Sequence, residues 1–273
     1  MRLITYNTAQ NPQPRIGVRV GHRVLDIEAA SRVEGEPLPA SMKALLREGR
    51  GAISRVQALA KAAQSSAGRY SGAMLEERAI RFLPPMPDAD KFLCVDGIAR
   101  EKPEEVNGAV RLNASLVGHN AKVVRPAGIS HLDCVPALVF VIGRRAHGVS
   151  QDDDPFDYVA GVTVLNEITA ADVKDAPGSC PLGPEIGTLD ELGDPHDLWL
   201  TCGVNGEERL RSSAADPVRR IGEVLQHFSR KQALEPGDMF STGTPGKLSL
   251  KPGDVVDCAI EGVTTLRSTI VAP

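Results

Sequence analysis

The sequence predicts an α+β protein that is predominantly β, with a small N-terminal α+β domain before a larger β-rich domain. Beyond residue 90, short apolar runs are separated by Pro-Gly-Asp, Asn-Gly and Gly-Thr-Pro turns, which is typical of strands joined by tight reversals. A proline-rich segment, FLPPMPDADK, interrupts the chain near residue 85. We therefore expect one domain and its linker over residues 1–85 and a second domain over residues 86–273.

The first domain opens with strands and continues with helices. The runs LITYN, RIGVRV and HRVLDIE alternate apolar and polar residues, and Gly21-His22 suits a hairpin between Arg15–Val20 and Arg23–Ile27. Helical patterns follow at Ser41–Leu46 and Ile53–Ser65.

Charge and hydropathy restrict the partners. The chain of 273 residues is 42% hydrophobic, carries a formal net charge of −4 and has no long basic run, so nucleic acid is not expected as a partner. No apolar stretch is long enough to span a bilayer, and the first residues lack the apolar core of a signal peptide. We expect a cytoplasmic protein that binds a small-molecule substrate or ligand and no membrane.

The five cysteines are single and form no C-x-x-C pair, which favours reduced thiols over disulfides. Cys94, Cys202 and Cys258 lie in strand-like runs and are interpreted as buried structural thiols. Cys134 and Cys180 are expected near the pocket, where a nucleophilic role is the alternative.

Two other conspicuous features receive structural interpretations. The acidic run Asp152-Asp153-Asp154 before Pro155 resembles a metal cluster, but it also suits the start of a helix, where acidic side chains cap free N–H groups. Trp199 lies in a predicted strand and is expected in the core.

Six motifs occur in a fixed order in the second domain: Val141–Gly143, Val159–Asp172, Pro181–Thr188, Val204–Glu207, Leu234–Gly246 and Leu250–Ile270. Together with the strand-like run Leu132–Gly143, they resemble the fumarylacetoacetate hydrolase (FAH) family over nearly all of residues 90–272. The resemblance implies a mixed β-roll fold, homodimers, and hydrolase, lyase or isomerase chemistry on small oxo acids.

The resemblance also implies a divalent metal held by three carboxylates, two of them one residue apart on the Leu132–Gly143 strand. Val135 and Ala137 stand at those two positions, and Glu167 matches the third. Neither apolar side chain can bind a hard cation. The sequence therefore predicts no metal set, with Glu167 as the only remnant, and no cofactor; weak binding of magnesium or manganese is left open.

The family's general base is a histidine with a glutamate three residues later, and these positions hold Lys102 and Glu105. The resemblance thus implies Lys102, Glu105 and Glu167 as catalytic residues. A lysine near its ordinary pKa of about 10.4 is a poor base at neutral pH, so a solvated Lys102 is the alternative interpretation. His119 and His131 flank the expected pocket entrance and are alternative bases.

Four residues are candidates for substrate binding. Gly243 and Thr244 belong to a turn that could present backbone amides and a hydroxyl to an anionic group, although the same residues suit a purely structural turn. By resemblance, Asn113 stands where the family has a lysine, and Lys174 is a remnant of a lysine segment. Ala171 and Leu210 replace an arginine and a glutamine that the family shows in the same pocket.

Three hypotheses follow. The favoured one is an atypical enzyme that acts on a small 2-oxo or 1,3-dicarbonyl acid by hydrolysis, decarboxylation, isomerisation or cyclisation, without the usual divalent metal. The second is a catalytically silent homologue that binds a ligand or pairs with a paralogous FAH subunit. The third is a conventional metal-dependent hydrolase with relocated ligands, Asp133, Glu167 and Glu185.

Overall fold

The structure is a computed structural model that describes residues 1–66, 68–95, 108–129, 132–169, 176–214, 221–241 and 246–273. The β-strands are β1 Arg2–Thr8, β2 Arg15–Val20, β3 Arg23–Asp26, β4 Met74–Glu76, β5 Ile80–Phe82, β6 Phe92–Val95, β7 Gly108–Val110, β8 Leu116–Val117, β9 Ala121–Val124, β10 Leu132–Ile142, β11 Val159–Thr169, β12 Cys180–Thr188, β13 Trp199–Val204, β14 Glu207–Ser213, β15 Met239–Ser241, β16 Leu248–Leu250, β17 Val255–Ile260 and β18 Thr264–Val271. The α-helices are α1 Ile27–Val33, α2 Met42–Arg47, α3 Arg50–Ser65, α4 Leu189–Leu192 and α5 Ile221–Lys231.

The strands form a larger and a smaller sheet. The larger sheet follows the order β4-β3-β2-β1-β12-β11-β10-β15-β6-β7, with β5, β8 and β16 added beside β1, β12 and β10. The smaller sheet has the order β14-β13-β17-β18-β9. Because β1 pairs antiparallel with β12, strands from both sides of residue 85 share the larger sheet. The domain boundary near residue 85 stays a prediction, as does the β-roll.

Apolar cores cover both faces of the larger sheet. The helix-side core packs α1, α2 and α3 against one face and includes Leu45, Val56 and Val139. The sheet-side core packs the smaller sheet and α5 against the other face and includes Leu138 and Phe228. Successive residues of a strand point to opposite faces, so β10 supplies both cores from one apolar run. The predicted α+β class with mostly strands is confirmed.

The predicted turns have the expected backbone. Asn205 and Gly206 have φ values of 55° and 84° in the two-residue loop between β13 and β14. Both Pro-Gly-Asp turns place a glycine at φ 95°, Gly237 and Gly253. In each, the aspartate side chain accepts a hydrogen bond from the backbone N–H three residues earlier, at 2.8 Å for Asp238 and 2.9 Å for Asp254. The carboxylate thus closes the turn, which explains why aspartate follows glycine.

Most predicted elements of the N-terminal segment are confirmed, since β1, β2, β3, α2 and α3 lie where the sequence places them, while α1 was not predicted. The Asp154 side chain caps the short helix Pro155–Tyr158 through the Phe156 N–H, as expected. The prediction for Trp199 is wrong. Its side chain is 42% exposed and lies under the Arg211 guanidinium, because Leu200 and Cys202 point into the sheet-side core.

No helix in the described part of the chain has the length and apolar character needed to cross a membrane.

A buried polar cluster joins the N-terminal hairpin to α1. Asp26 caps the helix by accepting a hydrogen bond from the Ala29 N–H at 2.8 Å. It also accepts two hydrogen bonds from Arg15 and one from the Tyr6 hydroxyl. Burial alone would raise the pKa of Asp26, but the hydrogen bonds from Arg15 and Ala29 hold it below its ordinary value. The carboxylate is therefore stabilised in its charged form.

We expect the Asp26→Asn variant to lose about 2–4 kcal/mol of unfolding free energy at pH 7, because Arg15 and Tyr6 lose a charged acceptor. Since the folded pKa is lowered, this contribution is present above the ordinary aspartate pKa of about 3.9 and disappears as the pH falls through the folded value. Urea denaturation at pH 7 and pH 3 measures both effects.

Glu28→Gln is the matched control, since Glu28 also pairs with Arg15, at 3.2 Å, but is more exposed. We expect a loss below about 1 kcal/mol. Equal losses in the two variants, or a difference that does not shrink at acid pH, would contradict the assigned role of Asp26.

Candidate functional site

The candidate site lies on the helix-side face of the larger sheet. Glu167 of β11 is paired with Val135 of β10, and Leu165 is paired with Ala137 two residues away. Ala137 and Leu165 belong to the helix-side core. Residues two apart on a strand share a face, so Glu167, Val135 and Ala137 lie together. The structure therefore brings together the three positions at which the resemblance predicts metal ligands.

A buried arginine occupies this face. The guanidinium of Arg111, which follows β7, forms an ion pair with the Glu167 carboxylate. The Arg111 side chain is only 2% exposed and that of Glu167 is 12% exposed. The backbone N–H of Arg111 donates to the Phe92 carbonyl of β6 at 2.7 Å, which ties the arginine to the strand beside it. A charged pair at this depth interacts strongly, because little water screens it.

The buried thiol of Cys94 lies beside Arg111. Cys94 of β6 interacts with Arg111, Ser241 and Cys180, and the Ser241 hydroxyl accepts from the Val95 N–H at 3.3 Å. Burial raises the pKa of Cys94 to about 12 despite the nearby arginine. Cys94 is therefore a neutral thiol at physiological pH, in agreement with the structural role predicted for it.

The two cysteines expected near the pocket separate. Cys180 belongs to the helix-side core together with Cys94, whereas Cys134 belongs to the sheet-side core. The prediction for Cys134 is wrong because its position on β10 alternates with that of Val135, and the two side chains leave opposite faces of the sheet.

The described residues of this face do not fit a divalent metal. Magnesium and manganese prefer several oxygen ligands, and here one carboxylate stands beside two apolar side chains. That carboxylate already has a cation, Arg111, as its partner. A metal ion would have to displace the arginine from Glu167 and would separate this buried charge pair.

The relocated ligand set does not assemble either. Asp133 accepts a hydrogen bond from Lys247 at 2.8 Å. Glu185 is fully buried and pairs with Arg19 at 3.0 Å and Arg2 at 3.6 Å. Its strand neighbour Ile186 is in the helix-side core, so the Glu185 side chain projects from the other face of the sheet. Glu167 and Glu185 therefore lie on opposite faces. Among the described residues, these three carboxylates form no group able to hold one ion.

The remaining predicted residues fall into two groups. The Asn113 amide donates to the Ala89 carbonyl at 2.8 Å, and its predicted substrate contact stays a prediction. Leu210 lies against Gly246, where an added Cβ would come within 2.7 Å of its Cδ1 atom. The others lie outside the described residues: Lys102, Glu105, Ala171, Lys174, Gly243, Thr244 and His131.

His119 is not placed beside Glu167. Its Nδ1 accepts a hydrogen bond from the Arg267 N–H at 3.1 Å, and its ring contacts Phe82 edge-on. Burial lowers the pKa of His119. It lines a cleft with Arg19 and Glu77, and neither Glu167 nor Arg111 lines that cleft.

Sequence reasoning missed Arg111. The only available signal was one charged residue in the short apolar run Gly108-Ala109-Val110-Arg111-Leu112. A single arginine at the end of a strand is usually solvated, and its burial follows from neighbours distant in sequence.

Residues 94–271 match the model of the fumarylacetoacetate (FAA) hydrolase C-terminal family, and the chain belongs to this family. The mitochondrial oxaloacetate tautomerase of Xenopus laevis is 28% identical over 301 residues, which cover 99% of this chain and 90% of that protein. The 4-hydroxyphenylacetate degradation bifunctional isomerase/decarboxylase of Escherichia coli is 37% identical over 182 residues, covering 62% of this chain and 42% of that protein.

Solved structures share the fold. Maleylpyruvate hydrolase from Sphingobium sp. SYK-6, in complex with manganese(II) and pyruvate, superposes with a TM-score of 0.81 at 24% identity, covering 100% of this chain and 99% of that one. The 5-carboxymethyl-2-hydroxymuconate delta-isomerase of Mycobacterium smegmatis gives 0.75 at 24% identity, covering 100% of both chains. The manganese in the first structure contrasts with the prediction that this chain needs no cofactor.

Proposed function

We propose that this chain is an enzyme that moves a proton within a small 2-oxo acid, by tautomerisation or isomerisation, and that it does so without a divalent metal. The observation that carries the proposal is the buried Arg111–Glu167 pair beside Val135 and Ala137. The relatives named as tautomerase and isomerase/decarboxylase support this reaction class.

Arg111 supplies the fixed positive charge. A guanidinium presents several parallel N–H donors that match a carboxylate or an adjacent pair of oxygens. Because Arg111 is almost fully buried, its charge stabilises an enolate oxygen more strongly than a solvated cation would. The substrate's oxo-acid group replaces Glu167 on the guanidinium.

Glu167 then acts as the base. Once the substrate oxygen occupies Arg111, the carboxylate is free to take the proton from the carbon next to the oxo group. The bonding pair of that C–H bond forms the enol double bond, the carbonyl π pair moves to oxygen, and Glu167 returns its proton to that oxygen. A dicarbonyl acid carries an acidic C–H, so this transfer needs less Lewis-acid assistance.

Further parts of the proposal rest on the sequence. Lys102, Glu105, Gly243, Thr244, Asn113 and Lys174 keep their predicted catalytic and substrate-binding roles. The homodimer, the paralogous subunit and the cytoplasmic location are retained as predictions. Oxaloacetate is the first substrate to test, since a relative that spans 99% of the chain is named for its tautomerisation.

The test follows the enol form of oxaloacetate by ultraviolet absorbance, with purified protein in excess EDTA. We expect catalysed conversion to persist in the chelator and to fall by about 10²–10⁴-fold in the Glu167→Gln variant. Glu207→Gln is the control, because Glu207 is an exposed carboxylate paired with Arg209. It should retain wild-type activity.

Two results would contradict the proposal. Activity that appears only after manganese or magnesium is added would show a metal-dependent enzyme. No turnover with oxaloacetate or with a panel of 2-oxo and 1,3-dicarbonyl acids, in either condition, would favour the catalytically silent homologue.

A further inference from the structure

Three cysteines that are distant in sequence meet between the two sheets. Cys134, Cys202 and Cys258 lie on β10, β13 and β17, and each is fully buried. The Sγ atoms are 3.8 Å apart for Cys134 and Cys202 and 3.0 Å apart for Cys202 and Cys258, and all three lie within 4.8 Å of one another. Among the described histidine, cysteine, aspartate and glutamate side chains, these three cysteines form the group that is close enough to hold one ion.

Strand register produces the cluster. Cys202 and Cys258 are direct partners in the antiparallel pair of β13 and β17, so their side chains leave the same face of the smaller sheet. Cys134 projects from the facing surface of the larger sheet, into the same sheet-side core. Each sheet thus contributes part of the sulfur cluster.

A buried hydrogen-bond chain holds one of the three thiols. The Cys134 thiol donates to Asn166 Oδ1 at 2.7 Å, and the Asn166 amide donates to the Ser268 hydroxyl at 3.0 Å. Asn166 and Ser268 are both fully buried. These contacts hold Cys134 in place and leave Cys202 and Cys258 facing it.

We propose that Cys134, Cys202 and Cys258 form a buried three-sulfur binding site for a thiophilic d¹⁰ ion, Cu⁺ in preference to Zn²⁺. Bonds of about 2.3 Å from one ion to three sulfurs place the sulfurs about 4 Å apart, so the observed spacing needs only small side-chain rotations. Thiolates select soft ions. Structural zinc usually takes four ligands, whereas this cluster supplies three sulfurs.

Charge also favours a monovalent ion. Three neutral thiols bind Cu⁺ by releasing one proton, and the resulting thiolate, two thiols and Cu⁺ form a neutral unit. A neutral unit avoids the cost of burying net charge between two sheets.

Burial determines how the ion enters. Because the sulfurs are closed to solvent, we expect uptake during folding, when the two sheets assemble, and slow uptake by the native protein. The bound ion then links β10 to β13 and β17 and stabilises the contact between the sheets. This site is independent of the proposed reaction, since it lies on the opposite face of the larger sheet from Glu167.

The experiment refolds the full-length chain under anaerobic, reducing conditions with Cu⁺ or with Zn²⁺, removes free metal and measures bound metal by mass spectrometry. We expect about one Cu⁺ per chain, a sulfur-to-copper charge-transfer band, and a higher unfolding temperature than the metal-free protein. Cu⁺ should displace Zn²⁺ in competition.

Single alanine variants of Cys134, Cys202 and Cys258 should each lose most of the bound copper. Cys94→Ala is the matched control, because it also removes a fully buried thiol, but from the helix-side core. It should keep the copper. X-ray absorption on the wild-type protein should show three sulfurs at about 2.3 Å, a readout that does not require any variant to fold.

Several outcomes would overturn the proposal. These are bound copper below about a tenth of an equivalent in the refolded wild type, copper that is equally lost from Cys94→Ala, or an absorption spectrum dominated by nitrogen and oxygen ligands. The proposal also fails if the isolated protein contains a Cys202–Cys258 disulfide and takes up no copper after reduction. That result would show that oxidants convert this thiol pair to a disulfide.

Discussion

Replacing Glu167 with alanine should lower the free energy of unfolding by about 3–5 kcal/mol, because it removes the carboxylate that pairs with the buried Arg111 guanidinium. Arg111→Met removes the other partner and should cost a similar amount, since a buried carboxylate then lacks a cation. Urea denaturation with matched circular-dichroism and fluorescence transitions measures both values.

The double variant Arg111→Met with Glu167→Leu provides the decisive comparison. Two apolar side chains of similar size fill the same space without a charge. We therefore expect a free energy of unfolding within about 1–2 kcal/mol of the wild-type value. The same variant should have no tautomerase activity, because both the cation and the base are absent. This would separate the pair's catalytic role from its role in folding.

Surface controls define the scale of these effects. Glu207→Ala removes an exposed carboxylate paired with Arg209 and should change stability by less than about 0.5 kcal/mol. If the single variants at Glu167 and Arg111 change stability no more than this control, the two residues are not a buried ion pair in solution.

The Val135→Glu/Ala137→Glu variant should gain a manganese site. Val135 is paired with Glu167 in the strand register, and Ala137 lies two residues along the same face, so the variant places three carboxylates together. Three carboxylates outnumber the one Arg111 guanidinium, so the site keeps a net negative charge for the ion. Carboxylate oxygens are suitable ligands for manganese. Calorimetric titration should detect binding by the variant and none by the wild type at the same concentrations.

The free energy of unfolding of this double glutamate variant should depend on manganese. Without an ion, two new carboxylates beside Glu167 repel one another and are partly desolvated, so we expect a loss of several kcal/mol. Manganese at a hundred times its dissociation constant should restore about 2.7 kcal/mol.

Val135→Gln/Ala137→Gln is the control of equal size and should not respond to manganese. If the wild type binds manganese as tightly as the glutamate variant does, the two apolar residues do not set metal affinity, and the proposed metal-free reaction loses its basis.

Local elements were predictable because their causes are local. The Asn205-Gly206 loop needs positive φ at two positions, and both Pro-Gly-Asp turns need it at glycine, so the residue types alone indicate the turns. The run Leu132–Gly143 predicts a strand, and β10 occupies it from Leu132 to Ile142. The motif order also predicts the family, which the match over residues 94–271 confirms.

Trp199 shows where such reasoning fails. Its place in a strand is correct, but a strand's two faces differ in burial, and residue type did not reveal which face Trp199 occupies. Cys134 was assigned to the wrong side of the sheet for the same reason. A shift of one residue reverses the face of every side chain.

The chain's own residues thus determine its strands, its tight turns and its membership in the family, because propensity, turn geometry and motif order act over a few residues. The pairing of Arg111 with Glu167, and the meeting of Cys134, Cys202 and Cys258, depend on strands that are distant in sequence. Only the register of the two sheets brings these side chains within a few ångströms. Both proposals therefore rest on contacts that no local pattern encodes.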